Sequence, residues 1–229
     1  MTLREVAENL ISALNAGGQT LGQKWNPLQV EAIIPSLRID AIKEVYNGSR
    51  FRGASKRING AWTQTFTVEI DGSIQNNNYP YLLSYIPAPA PITERMNGLI
   101  YVGGNLMING VPQIAKFFQA QSMDEITTLN QRGFIDNGKD IVYLYIMNMI
   151  QIYGNKSLKE FTVQMVAANP TEVPNFDIET SEYPINDELL MIMVDGFKRY
   201  NSIALQQPKD TVADAQDTSS IQAVNKSII

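Results

Sequence analysis

The hydrophobic period of this chain changes twice, and that change limits what it can fold into. Leu3, Val6, Leu10, Ile11 and Leu14 recur at helical spacing. Thr2 and Glu5 have the spacing of a capping box, and Gly17-Gly18 is a stop signal. A second helix opens on Asn26 as cap with Pro27 at its first position, and Leu37, Ala41, Ile42 and Val45 carry its apolar stripe. Pro35 lies inside it and predicts a kink or split near residues 31–34, while Asn47-Gly48 predicts its end. From residue 62 the period falls to two, with Trp62, Gln64, Phe66, Val68 and Ile70 on one face. Helical spacing returns in "NDELLMIMVDGFKRYNSIAL". There Asn186 caps, Asp187 and Glu188 meet the positive end, and Lys198 and Arg199 lie toward the negative end. Its expected buried face is Leu189, Ile192, Met193, Phe197, Tyr200 and Ala204.

The implied fold is α+β. An N-terminal helical pair with a basic loop spans 1–60, and a late helix over 184–206 packs on that pair. Between them, 61–183 form an inserted antiparallel β module, and 207–229 an extended C-terminal arm. Within the module, Pro87, Pro89 and Pro91 interrupt "YIPAPAPITERMNG", which is expected to cross a surface. "LIYVGGNLMING" invites a phosphate-loop reading. Such a loop needs a helix directly after its glycines and a Lys-Ser/Thr pair, and neither follows. Two short strands joined at Gly103-Gly104-Asn105 are expected instead, the second closed by Asn109-Gly110. "DIVYLYIMNMIQIYG" and "KEFTVQMVA" read as further strands, and "NPTEVPNF" as a break. Met147, Met149, Met191 and Met193 sit in apolar runs and read as core filler.

The chain has neither cysteine nor histidine. Thiolate nucleophiles, iron–sulfur clusters, Ser-His and Cys-His dyads and the commonest transition-metal ligands are therefore absent. Carboxylate chemistry remains, and Asp124, Glu125, Asp136 and Asp140 are the candidates in "SMDEITTLNQRGFIDNGKD". Acidic loops of this kind are common, and the Asp-x-Asp-x-Asp-Gly calcium pattern is missing. The expectation is no catalysis, no metal and no cofactor. The charged start "MTLREVAENL" is no secretory signal, and no run approaches the ~20 apolar residues that span a bilayer. A soluble protein made in a reducing or redox-indifferent place is expected, with no membrane partner.

Charge is unevenly placed. Residues 1–60 hold eight Lys/Arg against five Asp/Glu, and 61–229 hold ten against eighteen. That asymmetry suits subunits stacking positive face on negative face, or simply solvated surfaces. Arg50, Arg52, Lys56 and Arg57 concentrate the positive charge. They suit either the carboxylates of a neighbouring subunit or the phosphates of passing DNA, with the first preferred. Tyr79, Tyr81 and Tyr85 with Pro87 and Pro89 form a rigid candidate subunit-interface loop, or else a sugar- or peptide-binding ridge. Residues 208–229 have the composition of a segment disordered in a monomer. They read as an arm pinned to a neighbour by Ile221, Val224, Ile228 and Ile229, or as a tail folded back on its own core.

The succession "TLREVAENLISAL", "PLQVEAIIPSLRIDAI", "YIPAPAPI", "NGLIYVGG", "DIVYLYIMNMIQIYGN", "VAANPTEVPNF" and "YPINDELLMIMV" resembles the ring, or head-to-tail connector, proteins of crAss-like short-tailed bacteriophages. The match runs in order over nearly all of 2–205. Pro35 departs from that family's uninterrupted second helix. The resemblance implies a virion structural protein, assembled in the bacterial host cytoplasm and placed at the portal vertex. Its copies would close a ring, twelve-fold to match the portal. Its partners would be itself, the portal, neighbouring tail or ring proteins and, in passing, double-stranded DNA. Two other readings remain, a nucleic-acid-binding module resting on Arg50–Arg57 and a tail glycan-binding protein resting on the tyrosines and acidic loops.

Overall fold

The computed structural model describes residues 1–16, 25–51, 58–70, 82–92, 98–108, 111–135, 141–154 and 158–206. Helix α1 spans Leu3–Ala16 and α2 Pro27–Phe51. The α1 capping box forms as expected. Glu5 Oε2 accepts from the Thr2 amide at 2.8 Å, and Thr2 Oγ1 from the Glu5 amide at 3.3 Å. Asn26 caps α2 by accepting from the Leu28 amide at 3.1 Å. The expected split and the expected end of α2 are both corrected. The helix runs through Pro35 without splitting, and it continues past Asn47-Gly48 to Phe51. Burial of Val30, Ile34, Arg38, Ala41 and Ile42 along one face outweighs the hydrogen bond that Pro35 forfeits. Helix α4, Asp187–Gln206, is capped by Asn186, whose Oδ1 accepts from the Leu189 amide at 3.1 Å.

The three long helices share one core built on Leu3, Val6, Leu10, Val30, Ile34, Ile42, Leu189, Met193 and Phe197. The late helix thus returns to pack on the N-terminal pair. The boundary with the β module is interleaved. Trp62, Ile92, Val166 and Tyr183, all from the segment between the helices, are buried in the helical core. Trp62 therefore does not share a strand face with Phe66. It sits in a 3-10 turn, Gly60–Trp62, ahead of the first strand.

Among the described residues the inserted module holds two four-stranded sheets. One is ordered β1-β8-β3-β4, from β1 Gln64–Glu69, β8 Glu160–Met165, β3 Leu99–Ile108 and β4 Val111–Lys116. The other is ordered β2-β7-β6-β5, from β2 Leu82–Pro87, β7 Met149–Tyr153, β6 Val142–Ile146 and β5 Phe118–Ala120. Phe66, Val102, Phe161 and Val163 of the first sheet pack in one core with Tyr143, Ile150 and Ile152 of the second. Along β6 the side chains alternate. Tyr143 joins that shared core, while Val142 and Leu144 meet Ile126 of helix α3, Met123–Gln131, on the outer face. One pairing departs from the expected antiparallel module. β5 runs parallel to β6, with α3 in the crossover between them.

Three local readings are corrected. Gly103-Gly104 is not a turn. It lies in the middle of β3, flanked by β4 and β8, with Gly103 opposite Lys116 and Thr162. A Cβ on Gly103 would run into the Tyr101 hydroxyl and the Ala115 carbonyl, and one on Gly104 would stand 2.8 Å from the Glu160 carbonyl. The glycines permit close backbone approach. Antiparallel pairing joins β3 to β4 instead, with Ile108 opposite Val111, while Asn109-Gly110 lies outside the described residues. The run 141–154 is two strands, folded at Met147-Asn148 with φ of 50° and 58°. The proline-rich run does not cross a surface, because Ala88, Pro89, Pro91 and Ile92 are buried. Gly17-Gly18 lies outside the described residues.

Candidate interaction surfaces

The chemistry-bearing groups are dispersed. Among the described residues no three Asp or Glu side chains gather closely enough to hold a metal ion. Asp124 and Glu125 open α3, where Glu125 Oε2 accepts from the Gln121 amide at 2.7 Å and Ser122 Oγ from the Glu125 amide at 3.3 Å. Glu125 is a capping group, and this Ser-x-x-Glu signal marks a helix that the acidic-loop reading missed. Asp136 and Asp140 lie outside the described residues. Asp177 closes a turn over Thr180 Oγ1 at 2.6 Å, and that hydrogen bond lowers its carboxyl below the usual range.

The most perturbed cation is internal. Arg38 is fully buried, and its fork donates to the carbonyls of Pro184 at 3.0 Å, Ala167 at 2.7 Å and Trp62 at 2.8 Å. Those three carbonyls belong to the entry of the β module, its exit and the lead into α4. The guanidinium therefore ties the helical layer to both ends of the insertion. Burial lowers it to about 10. It stands 6.0 Å from the Tyr183 ring centroid, and the Tyr183 hydroxyl is buried without a hydrogen-bond partner among the described residues. Burial holds that phenol well above its ordinary range, and pushes Tyr143 up to about 12. This is a joint rather than a binding site.

The expected surfaces fare unevenly. Arg50 lies in the last turn of α2, whereas Arg52, Lys56 and Arg57 fall outside the described residues. Of the interface loop, Tyr79 and Tyr81 fall outside them, and Tyr85 sits in β2 opposite Gln151. Pro87 is exposed, but Pro89 is buried and cannot serve as a contact residue there; its carbonyl accepts from the Tyr145 hydroxyl at 3.4 Å. Ile221, Val224, Ile228 and Ile229 also fall outside the described residues.

Of the four methionines read as core, Met193 is buried, Met149 is partly buried, and Met147 and Met191 are 85% and 71% exposed. Helical period and strand alternation explain this. Met191 points away from the Leu189–Met193–Phe197 stripe, and Met147 forms a hairpin tip. On α4, Tyr200 is likewise exposed rather than part of the buried face.

Among the open concavities between the described elements, one of about 560 Å³ lies between Thr67–Glu69 of β1 and Pro87–Pro89. Another, of about 330 Å³, runs between α2 and α4 and carries Asp40, Glu44 and Asp195. No helix among the described residues is long and apolar enough to cross a membrane. No protein-family model and no curated protein matches this sequence.

Proposed function

We propose that this chain is a ring-forming subunit of the connector between portal and tail in a short-tailed bacteriophage, a structural protein rather than an enzyme. One observation carries the reading: α4 packs on α1 and α2, so that the β module is an insertion in a helical layer. The resemblance over 2–205 implies a ring whose helices pack subunit to subunit, with the β module facing outward or toward the next ring.

In such a ring the helical layer provides repeated lateral contacts. The arm at 207–229 reaches a neighbour and raises the effective concentration of the other contacts. Fully extended, 208–229 would reach about 70 Å. Partners are further copies of the chain, the portal and adjoining tail proteins, with DNA passing through the lumen.

The test is to compare the full chain with a truncation ending at Gln206 by sedimentation velocity and negative-stain imaging. Ring particles from the full chain, weakened in the truncated form while its circular dichroism is unchanged, are expected. If the full chain forms no ring, alone or on portal-bearing particles, the proposal fails.

A further inference from the structure

The groove between α2 and α4 has an apolar floor and a charged rim. Leu37, Ala41 and Ile192 line the floor. Asp40 and Glu44 stand one turn apart on α2, facing Asp195 on α4. All three carboxylates are exposed, and none has an ion-pair or hydrogen-bond partner among the described residues. Among the described residues Arg199 is the single cation lining the groove, so the described rim is net negative.

Gly196 adds an independent observation. A glycine inside a helix costs about 1 kcal/mol against alanine. Packing does not demand it here, because a Cβ at this position would meet only Leu37 Cδ2, at 3.4 Å, an ordinary contact. What the missing side chain does provide is depth in the groove.

We propose that this groove receives the basic segment 50–57 of a second copy of the chain. The inference rests on the ring reading and names the contact that would propagate it. The segment holds Arg50, Arg52, Lys56 and Arg57, no acidic residue, and Phe51 among the cations. Cations flanking an aromatic match carboxylates flanking an apolar floor. A subunit's own Arg50 lies nine residues beyond Ala41 on the same helix. That is about 14 Å along the axis, out of side-chain reach of the groove centre. One end of α2 thus docks on the middle of the next copy's α2–α4 pair. Such a contact is heterologous, the kind that closes into rings.

Two charge-reversed full-length variants test this, D40K/E44K/D195K in the groove and R50E/R52E/K56E/R57E in the segment. Each alone is expected to assemble at least tenfold more weakly than wild type, and a 1:1 mixture to recover assembly, since opposite charges again meet between copies. Recovery in the mixture excludes misfolding and an intrachain contact. Independently, a labelled peptide of residues 48–60 should bind the segment-reversed full chain in a salt-sensitive manner. It should bind at least tenfold more weakly when the groove is reversed as well.

Assembly unaffected by groove reversal, or a peptide indifferent to it, overturns the proposal while leaving the ring intact. A wild-type chain that never assembles but still binds the peptide through the groove overturns the ring and keeps the docking site.

Discussion

Arg38 donates to three backbone carbonyls from three different segments of the fold. Removing its fork leaves up to three buried acceptors without donors, at about 1–3 kcal/mol each. Arg38→Met, which keeps the bulk, should lower the unfolding free energy in urea by about 3 kcal/mol or more. Arg38→Lys should recover only part of this, because an ammonium on one stem cannot reach all three directions. A loss below about 1 kcal/mol would mean that the carbonyls find other donors.

Tyr183 gives the opposite expectation. Its hydroxyl is buried and unpartnered, so Tyr183→Phe should be neutral or slightly stabilising at pH 7. The phenol is raised above its unfolded value of 10.0. Folded and unfolded states therefore hold the proton alike below pH 10, and stability falls above it as the unfolded phenol ionises. Arg38, lowered to about 10, acts in the other direction over the same range in both proteins. Tyr183→Phe should accordingly move the alkaline unfolding midpoint upward. An unchanged midpoint would contradict the burial of this group.

The hairpin joining β6 and β7 turns on two non-glycine residues with positive φ, Met147 and Asn148. Asparagine tolerates that conformation better than methionine at the first position of such a turn. Met147→Asn should therefore raise the thermal midpoint, by roughly 0.5–1 kcal/mol in stability. Equal or lower stability would show that the exposed methionine contributes more than its backbone costs.

The same hairpin illustrates what the sequence could carry at this scale. α1, the start of α2 and α4 were legible, because caps and a 3.6-residue period are local signals. The alternation of β1 was legible for the same reason. The division of 141–154 into two strands was hidden, because the turn carries no glycine and both strands have a buried face. Gly103-Gly104 misled, since a glycine pair signals a turn and a close strand approach equally well. Burial of Pro89 and Pro91 depended on tertiary contacts, Pro91 bridging to Ala167 and the Pro89 carbonyl meeting the Tyr145 hydroxyl, which no local pattern reports.

Across the whole molecule, the helical layer and the β sandwich share residues at their boundary, and Arg38 and Trp62 link them. The insertion was legible because a late amphipathic helix with one apolar face needs a partner, and α1 and α2 supply it. The groove between α2 and α4 was not legible. It depends on how far apart two helices sit and on which carboxylates face one another across the gap, neither of which a single helical pattern contains. The basic segment was readable as charge, but its destination belongs to the assembly.

The proposal that many copies close into a ring is tested most directly by native mass spectrometry of the full chain, alone and with portal-bearing particles of the proposed virion. The account predicts one closed stoichiometry near twelve copies, free or bound to the portal. A monomer or trimer that stays unchanged in both conditions would contradict it.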